Sequence, residues 1–349
     1  MIRCTEKERT VQNSDNDLKR KIKEEEIRPQ EIFDEYIRLS KKDCKNFFPQ
    51  RLTTEANCPA GCESNNRHFC KKEQFYYKKC TTCGSIYANL NADEKCFQEF
   101  YTEGESTKYW ADVFYKKTES KREELLWKPK LERIIETFKL REKRSKTILV
   151  DIGGGFGTFA KLASSQFFGK EFTLVVEPNP KLAAECRRKE ISVINKFTNE
   201  MDKQDLPQGQ KLFTSFELLE HLTSPKAFLE SINNLMNKGD MLYLTTLSGE
   251  GIDINELKEN SKAITPPHHI NFLSPNGAEK ILREIGFRNI ETITPGKLDV
   301  NIMEKQADKI CNETLRKIIT RSDKESKEAL QRLIVSSKVS SHMHIFCEK

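Results

Sequence analysis

The sequence contains no long apolar run, no internal repeat and no low-complexity segment. A membrane-spanning helix needs about 18 consecutive apolar residues, and no run in the 349 residues approaches that length. Residues 1–10 are charged and carry no apolar block, which argues against a secretory signal and predicts a cytoplasmic protein. The length predicts two domains of about 150 residues each, or one domain with large additions.

The excess of one charge sign is also small. The formal net charge is +6; residues 1–150 carry 32 basic against 26 acidic side chains, and residues 151–349 carry 27 of each. The two signs are interspersed, whereas a nucleic-acid-binding surface clusters its basic residues on one face. The distribution therefore argues against a nucleic-acid partner.

Cysteines, in contrast, are abundant and unevenly placed. Seven of the eleven lie between Cys44 and Cys96. The total is odd and the sequence shows no export signal, so a disulfide framework is not expected. Such a cluster in a cytosolic protein is more typical of metal binding.

Two close cysteine pairs within this segment have the spacing of zinc ligands. The pairs are Cys58 with Cys62 and Cys80 with Cys83. Four thiolates on two tight turns close a tetrahedron around Zn²⁺, which predicts a structural zinc ribbon over residues 57–92. His68 and Cys70 lie between the pairs, and either could replace one ligand.

The rest of the chain divides by its residue pattern. Residues 1–56 predict a polar leader with one short amphipathic helix at 31–39, and residues 93–146 predict a helical linker or lid with a helix beginning near Pro129. From residue 147 onward, short apolar runs alternate with helical patterns, which favours a parallel sheet with helices on both faces. The predicted strands lie at 148–150, 172–176, 191–194, 212–216 and 241–245.

The first of these strands ends in a glycine-rich turn. Asp151 closes the strand, and Gly153, Gly155 and Gly157 follow at alternate positions before a helix. Glycines let the backbone approach a ligand closely, and the helix N-terminus offers free N–H groups to an anion. A dinucleotide motif is excluded because its third glycine would fall on Thr158, and a P-loop is excluded because no Gly-Lys-Ser/Thr ends the turn.

The remaining pattern, acid-x-Gly-x-Gly-x-Gly, resembles motif I of the class I S-adenosylmethionine-dependent methyltransferases. Glu177 ends the next strand, 26 residues after Asp151. The resemblance implies that Glu177 accepts both ribose hydroxyls of the cofactor, and its alternative role is to cap the helix at Pro180. Residues 212–222 resemble the fourth strand and following helix of ubiquinone-biosynthesis methyltransferases, which implies that Phe216 lies against the cofactor.

The resemblance covers residues 147–295 and implies an α/β fold, a seven-stranded Rossmann-like sheet whose last strand is antiparallel. Residues 287–294 would form strand six and residues 342–347 strand seven, with a helical insertion at about 304–338 between them. A zinc ribbon ahead of such a domain also occurs in sugar C-methyltransferases. The methyltransferase domain is therefore predicted over residues 147–349.

Methyl transfer to a hydroxyl needs a general base, and histidine suits that task near neutral pH. Residues 266–274 resemble the Glu-His-x-x-x-Phe-Ser run of sugar C-methyltransferases, in which the histidine is the proposed base. His269 falls on that histidine and His268 replaces the glutamate, so both are predicted to be catalytic. The alternative is that they only shape the loop. His342 and His344 alternate in the last strand and are predicted to be structural.

Glu217, Glu220 and His221 offer a second chemistry. They could hold Mg²⁺, with His268 or His269 as a fourth ligand, as in the ubiquinone-pathway and small-RNA 3′-end methyltransferases that this run resembles. The preferred interpretation is structural, because acidic residues also favour a helix N-terminus electrostatically.

The predicted function is S-adenosylmethionine-dependent methylation of a small polar acceptor, a sugar or sugar nucleotide of surface-polysaccharide synthesis. This acceptor rests on family analogy. One alternative is a catechol- or quinone-type O-methyltransferase. Another is a protein that binds or methylates RNA through the ribbon, where Tyr76, Tyr77, Lys78 and Lys79 combine aromatic and basic side chains. The sequence predicts no particular oligomeric state.

Overall fold

The computed structural model describes residues 22–48, 56–63, 65–90, 94–142 and 146–349. Residues 1–21 and 49–55 of the segment predicted as a leader with one short helix lie outside the described residues. Among the helices of the described ranges, none has both the length and the apolar character needed to cross a lipid bilayer.

Two sheets organise the described chain. In chain order the strands are β1 Asn66–Lys72, β2 Phe75–Cys80, β3 Ile86–Ala88, β4 Ile148–Ile152, β5 Thr173–Val176, β6 Ser192–Ile194, β7 Lys211–Phe216, β8 Met241–Leu247, β9 Asn271–Phe272, β10 Arg288–Ile293 and β11 His342–Glu348. The larger sheet has the order β10-β11-β8-β7-β4-β5-β6. Its neighbours pair in parallel except β11, which is antiparallel to both β10 and β8. The predicted seven-stranded sheet with an antiparallel last strand is confirmed.

Helices connect and cover the strands. The α-helices are α1 Glu24–Ile27, α2 Gln30–Phe47, α3 Glu94–Glu103, α4 Glu105–Tyr109, α5 Lys116–Arg122, α6 Lys128–Thr137, α7 Thr158–Ala163, α8 Pro180–Arg188, α9 Pro225–Leu235, α10 Ile252–Leu257, α11 Pro275–Ile285, α12 Asp299–Lys305, α13 Glu313–Arg321 and α14 Lys324–Ser336. Turns of π-helix lie at Trp110–Tyr115, Glu123–Trp127 and Ser164–Phe168. Turns of 3₁₀-helix lie at Leu140–Glu142, Lys170–Phe172, Thr198–Glu200, Lys203–Asp205, Leu219–His221, Lys258–Asn260 and Ala307–Lys309. The helix predicted near Pro129 is α6, and the one predicted at 31–39 extends over the whole of α2.

The core lies on both faces of the larger sheet. Successive side chains of a strand point to opposite faces, so a strand covered on both sides is apolar throughout. In β4, Leu149 packs in a cluster with Leu131 of α6, whereas the next residue, Val150, packs in a cluster with Ile232 of α9. Because strands β4 to β8 pair in parallel, their carboxyl ends lie along the same edge of the sheet. Open α/β folds bind their ligands at this edge.

The smaller sheet joins the cysteine-rich segment to the rest of the molecule. Its order is β1-β2-β3-β9, and β9 comes from the segment that follows His269. Ile86 of β3 pairs with Phe272 of β9 in antiparallel fashion, and Lys280 of α11 donates from Nζ to the carbonyl oxygen of Ala60 at 3.0 Å. The ribbon is thus built into the loop region beside the predicted catalytic histidines.

The chain between β10 and β11 is helical. Helices α12, α13 and α14 pack with α10 around an apolar cluster that includes Val300, Met303, Ile319 and Ile334. Asp299 of α12 accepts from the backbone N–H of Ser341, just before β11, so this group lies at the carboxyl end of β8.

Candidate active site

A large cavity lies over the carboxyl ends of the parallel strands. Its volume is about 1580 Å³, and it extends from the glycine turn after β4 to the loop that carries His268 and His269. Ligand pockets usually measure roughly 300–1,000 Å³, so this one has room for two molecules of cofactor size or smaller.

The glycine turn forms one wall of this cavity. Gly155 has φ of +56°, in the left-handed region, and a Cβ built on it would meet no atom within 4 Å. Gly157 also has a left-handed φ, of +69°, but it faces the protein interior, where a Cβ would lie 2.8 Å from the Sγ of Cys186. Gly155 is therefore open to a ligand, while Gly157 lets α7 pack against α8. Gly153 also has a left-handed φ, of +67°.

Asp151 lies buried at the end of β4 and lines the cavity. Thr214 of β7 donates from its hydroxyl to Asp151 Oδ1 at 2.7 Å. Burial raises the pKa of this carboxyl to about 7, although the Thr214 hydrogen bond acts to lower it. The residue ties the glycine turn to the neighbouring strand.

Glu177 follows β5 and faces the same wall. Its Oε2 accepts from the backbone N–H of Gly155 and its Oε1 from that of Asn179, both at 2.9 Å. Each carboxylate oxygen keeps a second lone pair for a ligand hydroxyl. The alternative that Glu177 caps α8 is wrong, because the side chain of Asn179 accepts from the backbone N–H groups of Lys181 and Leu182.

Phe216 ends β7 and is half-buried on the cavity wall. Its ring centroid lies 4.5 Å from that of Phe159 and 5.5 Å from that of Trp127. The ammonium group of Lys130, from α6, lies 5.0 Å from the Phe216 ring. Aromatic residues and one cation therefore surround the place where the resemblance puts the cofactor.

Glu217 begins a buried charge network beside Phe216. Its Oε1 accepts from Lys130 Nζ at 3.1 Å, from Thr245 Oγ1 at 2.6 Å and from His342 Nε2 at 2.9 Å. Burial acts to raise the pKa of Glu217, but the charges of His342 and Lys130 hold it well below its usual value. The carboxylate thus compensates the buried ammonium of Lys130. No sequence motif links Lys130 to Glu217, because the two residues lie 87 positions apart in the chain.

Three predicted side chains meet at the opposite end of the cavity. Ligand atoms of Glu220, His221 and His269 all lie within 4.8 Å of one another. Glu217 is not part of this group, so the set differs from the Glu217–Glu220–His221 combination considered from sequence. Burial and the charge of Glu217 raise the pKa of Glu220 to about 8, and a cation bound in this group would hold the carboxylate in its ionised form.

His269 is oriented by its own loop and by the ribbon. Its Nδ1–H donates to the carbonyl of Ala263 at 2.6 Å, since a carbonyl only accepts, and this leaves Nε2 with a free lone pair. The hydroxyl of Tyr77, from β2, donates to the His269 carbonyl at 2.7 Å. Burial lowers the pKa of His269 to about 4. The imidazole is therefore neutral near pH 7 and can accept a proton.

His268 points into a different environment. Ser106 donates its only hydroxyl proton to Asp43 at 2.5 Å, so His268 Nε2–H donates to Ser106 Oγ at 2.8 Å. The imidazole packs between the rings of Tyr36 and Phe100, at centroid distances of 5.1 and 4.8 Å. Burial holds its pKa well below the usual value. This series of hydrogen bonds fixes the position of the loop. Asp43 and Ser106 belong to no sequence motif, so no sequence signal pointed to them.

The four cysteines predicted to bind zinc lie together and are buried. All four sulfur atoms are within 4.8 Å of one another, and the Sγ atoms of Cys58 and Cys83 are 3.6 Å apart. Zn–S bonds of about 2.3 Å in a tetrahedron place sulfur atoms roughly 3.8 Å apart, so the group fits this ion. Cys70 instead packs in an apolar cluster with Tyr77, and His68 is exposed.

The strand order of the larger sheet, the glycine turn after β4 and the acid after β5 define the fold of the class I methyltransferases. Residues 119–292, just under half of the chain, match the family model of the methyltransferase domain. The chain therefore contains a methyltransferase domain, and its larger sheet has the strand order of the class I S-adenosylmethionine-dependent methyltransferases.

Solved methyltransferase structures resemble the chain at low identity. An S-adenosylmethionine-dependent methyltransferase from Archaeoglobus fulgidus is 19% identical, with 68% of this chain and 100% of that chain covered and a TM-score of 0.45. Phosphoethanolamine N-methyltransferase 2 from Haemonchus contortus is 13% identical, with 76% and 63% covered and a TM-score of 0.48. A methyltransferase from Mesorhizobium loti is 13% identical, with 63% and 100% covered and a TM-score of 0.38. No curated protein sequence matches the chain.

Proposed function

We propose that the protein transfers a methyl group from S-adenosylmethionine to a small polar acceptor, a sugar or sugar nucleotide, with His269 as the general base. The observation that carries this proposal is the free Nε2 of His269, which lies in the same cavity as the glycine turn and Glu177. The volume of this cavity, about 1580 Å³, supports simultaneous binding of cofactor and acceptor.

The wall beside the glycine turn is the proposed cofactor site. The open face of Gly155 admits a close ligand, Glu177 offers lone pairs to ribose hydroxyls, and Phe216 supplies an apolar surface. The bound cofactor supplies a methyl group on a sulfonium, which is a good leaving group. The protein therefore mainly has to align the acceptor with that methyl group.

His269 would act as the general base that accepts the hydroxyl proton of the acceptor. As the new bond to the methyl carbon forms, the hydroxyl proton passes to His269 Nε2, and S-adenosylhomocysteine leaves as the sulfur takes the electron pair of the broken bond. The Ala263 carbonyl fixes the imidazole through Nδ1, so the base keeps one orientation. Aromatic rings on the cavity lining, among them Tyr101 and Trp110, suit stacking with a nucleobase.

The group formed by Glu220, His221 and His269 favours a second candidate function, a catechol- or quinone-type O-methyltransferase. Two imidazoles and one carboxylate can hold a divalent cation, with remaining positions for two acceptor hydroxyls. In that case His269 Nε2 is a ligand and no longer a base. Removal and re-addition of Mg²⁺, with the ribbon zinc retained and measured, then separates the two candidates, because only the second one loses its activity with the Mg²⁺.

The test is transfer of a labelled methyl group from S-adenosylmethionine to panels of sugar nucleotides, catechols and small RNAs, with and without Mg²⁺. The proposal expects label in a sugar nucleotide with little effect of Mg²⁺ removal. Label in a catechol that disappears without Mg²⁺ supports the second candidate. Label in RNA alone overturns both and supports the ribbon as an RNA-docking element.

Replacing Glu177 with alanine should weaken S-adenosylmethionine binding by about 1.5–3 kcal/mol, the usual scale for hydrogen bonds to a charged group. The variant loses the ribose contact and also the two backbone hydrogen bonds that hold the glycine turn. Titration calorimetry measures the change. Glu190→Ala, an exposed acid paired with Lys170, is the matched control and should leave the affinity unchanged.

We also propose that Cys58, Cys62, Cys80 and Cys83 hold one structural Zn²⁺. Four thiolates leave no open coordination position, so this ion would stabilise the ribbon and take no part in methyl transfer.

A further inference from the structure

Two arginines face the cavity without an acidic partner. Arg28 and Arg122 both line it, and within the described part of the chain neither forms an ion pair. The Nε of Arg122 is out of contact with solvent and has no hydrogen-bond partner. Two lysines of the lining, in contrast, are paired: Lys130 with Glu217 and Lys262 with Asp34.

The fold brings these two arginines to the same region. Arg28 directly follows α1, which packs on α5, and Arg122 is the last residue of α5. The Arg28 guanidinium carbon lies 5.5 Å from the centroid of the Phe33 ring, and that of Arg122 lies 5.8 Å from the centroid of the Trp110 ring. Each side chain is therefore held over an aromatic face with its donors left unused.

This aromatic group connects the arginines to the histidine end of the cavity. The ring of Tyr36 lies 5.8 Å from Phe33, 5.0 Å from Trp110 and 5.1 Å from His268. Both arginines are thus two aromatic rings away from the loop of His268 and His269.

The energetics require an anion near Arg122. A buried charge without a counter-charge is unfavourable, and burial lowers the pKa of this guanidinium, although arginine remains protonated in proteins. The guanidinium presents a planar fork of donors that matches two oxygens of a carboxylate or phosphate. The charge of Glu217 acts on Arg122, but no described carboxylate forms an ion pair with it, so the fork is available to an anionic group of a ligand.

We propose that Arg28 and Arg122 bind an anionic oxygen group of the acceptor, a phosphate or a carboxylate, and so direct its reactive hydroxyl toward His269. This proposal rests on the proposed function and names the chemical class of its acceptor. A sugar nucleotide satisfies it through the diphosphate, and a neutral sugar or catechol does not.

Calorimetry on protein saturated with S-adenosylhomocysteine tests the site with two probes, pyrophosphate and succinate. Arg122→Gln and Arg28→Gln should each weaken binding of the preferred probe about tenfold or more, and Arg122→Lys should restore only part of it because the fork is lost. The affinity for S-adenosylhomocysteine should change less than about threefold. Arg283→Gln, an exposed arginine on α11, is the matched control. Thermal unfolding confirms that each variant is folded. The probe that binds identifies the anion as phosphate or carboxylate.

Three results are decisive against the proposal or against the proposed function. If Arg122→Gln weakens S-adenosylhomocysteine and leaves the probe unaffected, the arginine serves the carboxylate of the cofactor and the proposal is overturned. If neither probe binds the unaltered protein, it is overturned as well. If the unaltered protein binds pyrophosphate but not S-adenosylhomocysteine, the proposed function fails while the anion site stands.

Discussion

Replacing His269 with alanine should lower turnover by about 10²–10⁴-fold, the range for a positioned acid–base group. The variant removes the Nε2 lone pair that would take the acceptor proton, while Gly155 and Glu177, at the other wall of the cavity, remain in place. The affinity for S-adenosylmethionine should therefore barely change. Steady-state kinetics with the acceptor found in the labelling panel measure the loss, and His68→Ala, an exposed histidine of the ribbon, is the matched control.

The pH profile distinguishes a base from a merely structural histidine. A base acts in its unprotonated form, so the rate falls as the pH drops through its pKa. Burial lowers the pKa of His269 to about 4, which places the falling limb near pH 4 and not near the usual histidine value of 6.5. The His269→Ala profile should lack this limb. Full activity of the variant, with no effect of Mg²⁺ removal, would contradict both the base and the metal hypotheses.

Replacing Cys80 with serine should release about one zinc ion per chain and loosen the ribbon, because a structural site gains its folding energy from the bound metal. Cys80 belongs to the same buried cluster as Val150 and Leu244 on one face of the larger sheet, so the free energy of unfolding should fall. The sheet should still form, because the cluster on its other face contains no ribbon residue. Turnover should nevertheless fall. The ribbon shares a sheet with β9, and Tyr77 donates to the carbonyl of His269, so a loosened ribbon releases the base.

Zinc analysis, circular dichroism and kinetics on the same preparation test this prediction. Cys311→Ser, at an exposed cysteine outside the ribbon, should retain zinc and activity. Protein purified without chelator that contains no zinc would refute the metal site. Loss of zinc with unchanged turnover would refute the coupling between the ribbon and His269.

The sequence pattern was sufficient to predict those elements whose defining residues are close together in the chain. Apolar runs of three to five residues predicted the five parallel strands of the larger sheet, because a strand covered on both faces has to be apolar throughout. The two remaining strands were predicted from the family resemblance. The glycine spacing after Asp151 predicted a ligand-binding turn, and the cysteine spacing around Cys58 and Cys80 predicted a zinc site, in the same way. In these cases a few neighbouring residues contain the whole physical requirement.

Contacts between segments that are distant in the sequence could not be predicted from such patterns. Strand β9 is two residues long and exists only because β3 lies beside it. The pairing of Lys130 with Glu217 joins residues 87 apart, and that of Ser106 with His268 joins residues 162 apart. The alternative ligand set of Glu217, Glu220 and His221 shows the same limit, since Glu217 instead bonds to His342.

The sequence by itself determined the parallel strands, the glycine turn and the paired cysteines, because periodicity and close spacing fix local backbone and burial, and the resemblance of that turn to motif I implied the class of the protein and its proposed cofactor wall. Only the tertiary structure decided which histidine keeps a free nitrogen, which acid joins His221 and His269, and that Arg28 and Arg122 lie over neighbouring aromatic rings of one cavity. Those outcomes depend on side chains that meet across long separations, and no short stretch of sequence encodes such a meeting.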